Sequence, residues 1–418
     1  MKAVPERGTR SGRVALEAEQ LARLRSLLKA IVPGNAFYTA RLHDCEAIRT
    51  LEDFTRLVPF TTKTELIEDQ QTHPPYGSNL TFPLERYTRF SQTSGTSAAP
   101  LRWLDTPESW DWMLDNWRTI YHAAGASAGD RVFFAFSFGP FLGFWTSFEA
   151  AAKLGLLCIP GGGLSSEARM RAIIETRTNI LCCTPTYALR LGQIGSTGSQ
   201  VRTMIVAGEP GGSIPTTRAQ IEKLWPGARV FDHHGMTEVG PVSYECPERP
   251  GALCVIELSY FAEIIDPVTR QPVDDGQTGE LVLTTLGRTG SPLLRYRTGD
   301  IVRKTFVDDR LAFEGGILGR SDDMVIVRGV NLYPTAVEQI IREHAEIAEY
   351  RVALGKSGVM DEIAITIEPA DGCAAPAALA AKLESELRGA FGLRIPVSLA
   401  LPGSLPRFEM KAKRWVRR

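Results

Sequence analysis

Seven residues, Ser91-Gln92-Thr93-Ser94-Gly95-Thr96-Ser97, bring five hydroxyls and a glycine together. Such a segment can turn backbone N–H groups and hydroxyls toward a polyphosphate, although Ser/Thr/Gly clusters are more often plain loops. Further on, His233 and His234 are adjacent. An imidazole can stack, titrate near neutrality or bind metal, but no Cys or His at close ligand spacing surrounds the pair, which argues against zinc. Gly208-Glu209-Pro210-Gly211-Gly212 follows the apolar run 201–206, and in open parallel sheets ligands bind beyond the carboxyl ends of strands. Phe136, Phe138, Phe141, Phe144, Trp145 and Tyr187 crowd the turn Gly139-Pro140. Most of these rings belong to a core; some are expected to line an apolar slot, with Gly211 and Gly212 leaving room for a ring.

The elements that must hold these residues alternate. Helical spacing of leucines marks 16–32, and 110–124 reads as a second helix. Strands are expected at 131–138, 156–160, 179–184, 201–206 and 229–232, with helices at 142–154, 165–176, from Pro185 onward and at 216–224. This alternation implies parallel crossover units and a sheet covered on both faces. From 253 to 286 short alternating strands suggest a separate β-rich layer. After Arg320 come a strand at 324–327, a helix at 335–344, strands at 350–354 and 362–367, and a helix at 377–391: a small α+β unit. The predicted fold class is α/β, a large N-terminal domain with mostly parallel sheets plus a β-rich layer, and a small C-terminal α+β domain.

Composition narrows the function classes. The chain has 418 residues, 44% hydrophobic and 23% charged, with net charge -1, so nothing calls for nucleic acid or an acidic membrane surface. No apolar run is long enough to span a membrane, and Glu6, Glu17 and Glu19 interrupt any signal-peptide core. Seven scattered cysteines without framework spacing argue for reduced thiols and the cytoplasm; Cys246 and Cys254 are read as free thiols. A homodimer is allowed.

Four motifs in order add to this reading: His234-Gly235-Met236-Thr237-Glu238, Tyr296-Arg297-Thr298-Gly299-Asp300, Gly319-Arg320-Ser321-Asp322-Asp323-Met324 and Pro406-Arg407-Phe408-Glu409-Met410-Lys411. Together they resemble the adenylate-forming enzymes, and among those the phenylacetate–coenzyme A ligase family, from Thr93 to Lys411. The resemblance implies domains at 1–320 and 321–418 turning about Asp322. It implies ATP and Mg²⁺ as cofactors, coenzyme A as acceptor and a small-molecule carboxylic acid as substrate. An aromatic acid is the favoured class, given Phe136, Phe138, Phe141 and Tyr187.

Residue by residue, the resemblance gives His234 the adenine face, Thr237 the α-phosphate, Glu238 the metal and Asp300 the ribose. Arg320 falls on the ribose or phosphate side. Thr93, Ser94, Gly95 and Thr96 form the phosphate loop, and the loop of Gly208, Glu209 and Pro210, with His233, Gly235 and Met236, flanks the nucleotide. Lys411 is the cation that the small domain brings to the carboxylate and α-phosphate, where charge builds.

Two departures stand out. Where the family reads Thr-Gly-Lys-Pro, this chain reads Ser97-Ala98-Ala99-Pro100, so the second glycine and the lysine are missing. Losing one preorganised donor costs about 3–4 kcal/mol in such sites; Arg102 is a candidate to compensate. Met410 replaces the usual glycine before Lys411, with Lys413 two residues out of register. Alternatives are adenylate formation with a carrier protein or an amine as acceptor, or a weakened relative that only binds a ligand or partner.

Overall fold

The computed structural model describes residues 10–42, 45–93, 100–321, 325–327, 330–357, 360–408 and 413–417. The runs Arg131–Phe134, Ile180–Cys183 and Thr203–Val206 are almost wholly buried. A strand buried on both faces needs cover on both. Their side chains alternate accordingly: Val132 and Phe134 enter one core, and Phe133 enters another with Leu181 and Met204. The covering helices start where caps permit. Ser165 accepts from the Ala168 N–H ahead of Ser166–Glu175, and Thr184 does the same from Tyr187 ahead of Pro185–Ile194. Proline opens the latter helix, at a position whose N–H has no helical partner anyway.

Among the described residues one sheet of eleven strands forms the centre. From one edge run Leu157–Pro160, Arg131–Phe134, Ile180–Cys183, Thr203–Val206 and Arg229–Met236, all parallel. Then follow Gly240–Cys246, Arg249–Val255, Arg310–Arg320, Tyr296–Val307, Thr278–Thr285 and Tyr260–Ile265, all antiparallel. The expected separate β-rich layer is therefore a continuation of the parallel sheet. Arg229–Met236 is the joint, pairing parallel with one neighbour and antiparallel with the other.

Cys246 and Cys254 correct a second expectation. They form a disulfide. Their strands, Gly240–Cys246 and Arg249–Val255, pair antiparallel, and their Cα atoms lie 5.4 Å apart, inside the range a disulfide spans. Cys158, Cys182, Cys183 and Cys373 remain thiols.

The N-terminal helices Arg10–Ile31, Ala36–Thr39, Leu51–Leu57 and Lys63–Thr72 bury Leu24, Leu28, Phe54 and Leu66 in the main core. Thr61 ties this region to the sheet. It receives an N–H from Arg297 at 2.9 Å, donates its own to Arg295 O at 3.0 Å, and forms a parallel bridge to Tyr296. The C-terminal sheet orders as Val397–Leu399, Met360–Pro369, Ile347–Ser357 and Trp415–Arg417. It packs with the helices Pro334–Arg342 and Pro376–Phe391 around its own core, including Val337, Ile341, Ile365, Leu383 and Leu387.

Candidate active site

The joint strand Arg229–Met236 presents its residues to alternate faces. His233 is buried, with its ring centroid 4.5 Å from Trp117 and its Nδ1 2.8 Å from Ser243 O. Burial pushes its pKa down to about 4. His234 turns the other way and meets Asp300, with Nε2 3.0 Å from Oδ2. Its Nδ1 is buried without a hydrogen-bond partner. An orphaned buried ring nitrogen is costly unless a ligand completes it, which fits a bound nucleotide.

Asp300 lies in Tyr296–Val307 opposite Arg320 in the antiparallel register. Gly299, at φ +79°, turns the strand there. Arg320 Nη1 donates to Asp300 Oδ1 at 3.0 Å. One carboxylate, 4% exposed, thus holds an imidazole and a guanidinium.

Thr237 and Glu238 sit in the turn from Arg229–Met236 to Gly240–Cys246. Arg288 fixes this turn. Its Nη1 donates to Thr237 O at 2.9 Å and Glu238 O at 2.7 Å. Its other nitrogens grip Asp105 at 2.7 and 2.6 Å, and both side chains are completely buried. The Glu238 carboxylate, itself buried, lies 3.6 Å from Lys63 Nζ. One hard carboxylate suits Mg²⁺ that is otherwise held by phosphate oxygens and water. Sequence reasoning passed over Arg288, Asp105 and Lys63.

The hairpin beside the hydroxyl-rich segment pairs Arg89–Gln92 with Arg102–Asp105. The Thr93 N–H donates to Leu101 O at 2.9 Å and its hydroxyl accepts from Leu101 N–H at 3.0 Å, closing the loop at its base. The Gln92 N–H donates to Pro140 O at 2.7 Å, which joins this base to the aromatic turn. Arg102 is exposed and donates to Pro75 O at 3.0 Å. Ser94, Gly95, Thr96, Asp322 and Lys411 lie outside the described residues.

The aromatic residues divide. Phe136 stacks on Phe144 at 4.1 Å and 16°, and Phe138 meets Trp145 at 4.8 Å. Phe141 touches Phe144 edge-on at 5.9 Å. Tyr187 is not with them: it is 1% exposed, belongs to the other core and places its hydroxyl 3.0 Å from Ser166 Oγ. Gly211 and Gly212 have a packing cause. A Cβ on Gly211 would meet Pro185 Cβ at 2.5 Å, and one on Gly212 would meet Asp232 at 2.5 Å. Glu209 accepts from the Thr186 N–H at 2.8 Å and pins the loop to the next helix. Beneath it, Ser213 donates to Asp232 at 2.5 Å, and burial raises the Asp232 pKa to about 6.

This fold, with Asp300 holding His234 of the joint strand and Arg320, defines the class: the AMP-binding, adenylate-forming enzymes. Residues 93–287 match the AMP-binding enzyme family, and 329–418 match the AMP-binding enzyme C-terminal domain. Within that class the chain belongs to the phenylacetate–coenzyme A ligase family. It is 31% identical to a phenylacetate-coenzyme A ligase of Pseudomonas putida, over 95% of this chain and 93% of the relative. It is 32% identical to one of Aromatoleum evansii, over 96% and 94%. A crystal structure of 2-hydroxyisobutyryl-CoA ligase in the postadenylation state, with 2-HIB-AMP, superposes with a TM-score of 0.91 at 25% identity, covering 99% of this chain and 91% of that one. Against the same ligase with 2-HIB-AMP and CoA in the thioesterification state the TM-score is 0.72 at 26% identity, with the same coverage.

Proposed function

We propose that this protein activates a small carboxylic acid with ATP and passes the acyl group to coenzyme A. A carboxylate oxygen of the acid attacks the α-phosphorus, and pyrophosphate leaves. The thiol sulfur of coenzyme A then attacks the acyl carbon, and AMP leaves. The observation that carries this reading is the grouping of His234, Asp300 and Arg320 at the sheet joint, next to the turn bearing Thr237 and Glu238.

Asp300 takes the ribose hydroxyls, which a carboxylate with two oxygens can accept while Arg320 and His234 hold it in place. The His234 ring lies along the adenine, and its unpaired Nδ1 meets the ligand or a water on it. Thr237 offers its hydroxyl to the α-phosphate from a turn that Arg288 anchors. Mg²⁺ on Glu238 would neutralise charge on the phosphate oxygens. The segment 93–96 and the loop 208–210 border the nucleotide on its phosphate and adenine sides. Phe136, Phe138 and Phe141, beside the hairpin base that Pro140 contacts, make an aromatic acid the favoured substrate.

Two parts of the chain, 1–320 and 321–418, are proposed to turn about Asp322 between the steps, with Lys411 delivered to the first. The fall in TM-score between two states of one relative fits a pivoting part. Dependence on ATP and coenzyme A supports a cytoplasmic location; no helix among the described residues is long and apolar enough to cross a membrane. A homodimer is compatible with this reading. The missing Gly-Lys pair favours a second reading, a weakened relative that binds ligand without turnover.

Acid-dependent exchange of pyrophosphate into ATP, across a panel of aromatic and short aliphatic acids, separates the two. Exchange with at least one acid, and AMP release only when coenzyme A is added, is the expected result. Nucleotide binding with no exchange for any acid would leave the second reading standing.

A further inference from the structure

We infer that Lys63 supplies the phosphate-binding cation that the phosphate loop of this chain lacks. The inference rests on the nucleotide reading above. The stretch from Ser91 to Pro100 contains no lysine or arginine. Arg102, the nearest basic residue that follows it, is occupied by Pro75 O. Lys63 instead places its ammonium 3.6 Å from the Glu238 carboxylate, across the fold from its own helix.

Local energetics do not account for a lysine there. Lys63 is the first residue of the helix Lys63–Thr72, where the helix dipole disfavours a cation. The side chains three and four residues on, Leu66 and Ile67, offer no anion. Yet its backbone is firmly placed. Thr62 and Glu65 form a reciprocal capping box. Thr61, two residues before, bonds to Arg295 and Arg297 and donates its hydroxyl to Leu294 O at 2.8 Å. The strand Tyr296–Val307 that Thr61 bridges also carries Asp300. One tie therefore registers both the ammonium and the ribose-binding carboxylate.

The side chain is 40% exposed and Glu238 only 7%, so the lysine approaches from the open side of the site. Before nucleotide binds, Lys63 neutralises Glu238. With Glu238 holding Mg²⁺, the ammonium would be free to meet phosphate oxygens beside it. A compact point charge on a flexible stem suits a polyphosphate.

The test is calorimetric binding of ATP, pyrophosphate and AMP, each with Mg²⁺, to the full-length protein. Lys63→Ala should weaken ATP and pyrophosphate by roughly ten- to a hundredfold and leave AMP within about threefold. Lys63→Arg should keep most of the affinity. Introducing Ala98→Gly and Ala99→Lys into Lys63→Ala should restore ATP binding. Equal ATP affinity in parent and Lys63→Ala would overturn the inference, as would a parallel loss of AMP binding, which marks a structural role. Binding of neither ATP nor AMP by the parent would instead overturn the nucleotide reading, and this inference with it.

Discussion

Asp232 and His233 are neighbours whose burial shifts them in opposite directions. His233 moves from 6.5 to about 4. The unfolded chain takes up that proton first, so the contribution of His233 to stability is complete above pH 6.5 and is lost as pH falls to 4. Asp232 moves from 3.8 to about 6, so its contribution is complete below 3.8 and is lost as pH rises through 6. The two slopes oppose each other between pH 4 and 6. Asn can replace Asp232 and still accept the His233 N–H while bonding Ser213. Asp232→Asn should therefore unmask the histidine slope, with stability rising by up to about 3 kcal/mol from pH 4 to 6.5. Chemical denaturation across that range measures it, and a flat profile would contradict the assignment. At Asp300, replacement by Asn keeps the shape but removes the charge that pairs with Arg320. AMP affinity is expected to fall at least about tenfold, read by calorimetry; unchanged affinity would place the ribose elsewhere.

At the scale of elements, the Thr237-Glu238 turn depends on a buried ion pair from two distant segments. Arg288→Met leaves Asp105 charged and unpaired at 0% exposure. Loss of about 3–5 kcal/mol is expected, while Arg288→Met with Asp105→Leu should recover much of it. Urea unfolding of both single variants and the double one checks this; simple additivity would show that the two residues act separately. Nothing in the sequence announced this pair, because residues 105 and 288 meet only through tertiary pairing. The parallel strands were legible, since burial on both faces leaves continuous apolar runs such as 180–183. The strands Tyr296–Val307 and Arg310–Arg320 were not, because their charged residues mask the alternation. Thr62-x-x-Glu65 was a readable helix start, and the lysine inside it was the overlooked anomaly. Five of the six aromatic residues cluster in sequence, and Tyr187 lies far along the chain; sequence does not say which side of a sheet each ring takes, and Tyr187 is in the other core.

For the whole molecule, the reading requires the C-terminal part to move. In the present arrangement Gln220 donates to Arg342 O at 3.0 Å, and Arg414 Nη1 lies 3.5 Å from Thr186 Oγ1. Between the two parts lies a crevice of about 30 Å³, lined by Thr186, Arg190, Arg342, Glu349 and Arg414 among others. Thr335 Oγ1 also donates to Leu318 O near the junction; hydrogen bonds of this kind, each worth about 1 kcal/mol net, are a light latch. Lys411→Ala should lower acyl-adenylate formation by roughly two to three orders of magnitude and affect thioester formation from supplied acyl-adenylate far less; Lys413→Ala should do little. Asp322→Pro should impair one half-reaction much more than the other. Rapid-quench measurement of each half-reaction decides, and equal losses in both would make the pivot unnecessary.

The bridge at Thr61 bears on how this protein can be cut down in the laboratory. The two family-matched segments begin only at residue 93, and a fragment starting there would seem a natural expression target. It would lack Leu24, Leu28, Phe54 and Leu66, leaving their neighbours in the main core open to water. It would also free the edge of Tyr296 where Thr61 now pairs. Such a fragment would carry sticky apolar surface and unpaired backbone beside Asp300, and it should precipitate even though every matched residue is present.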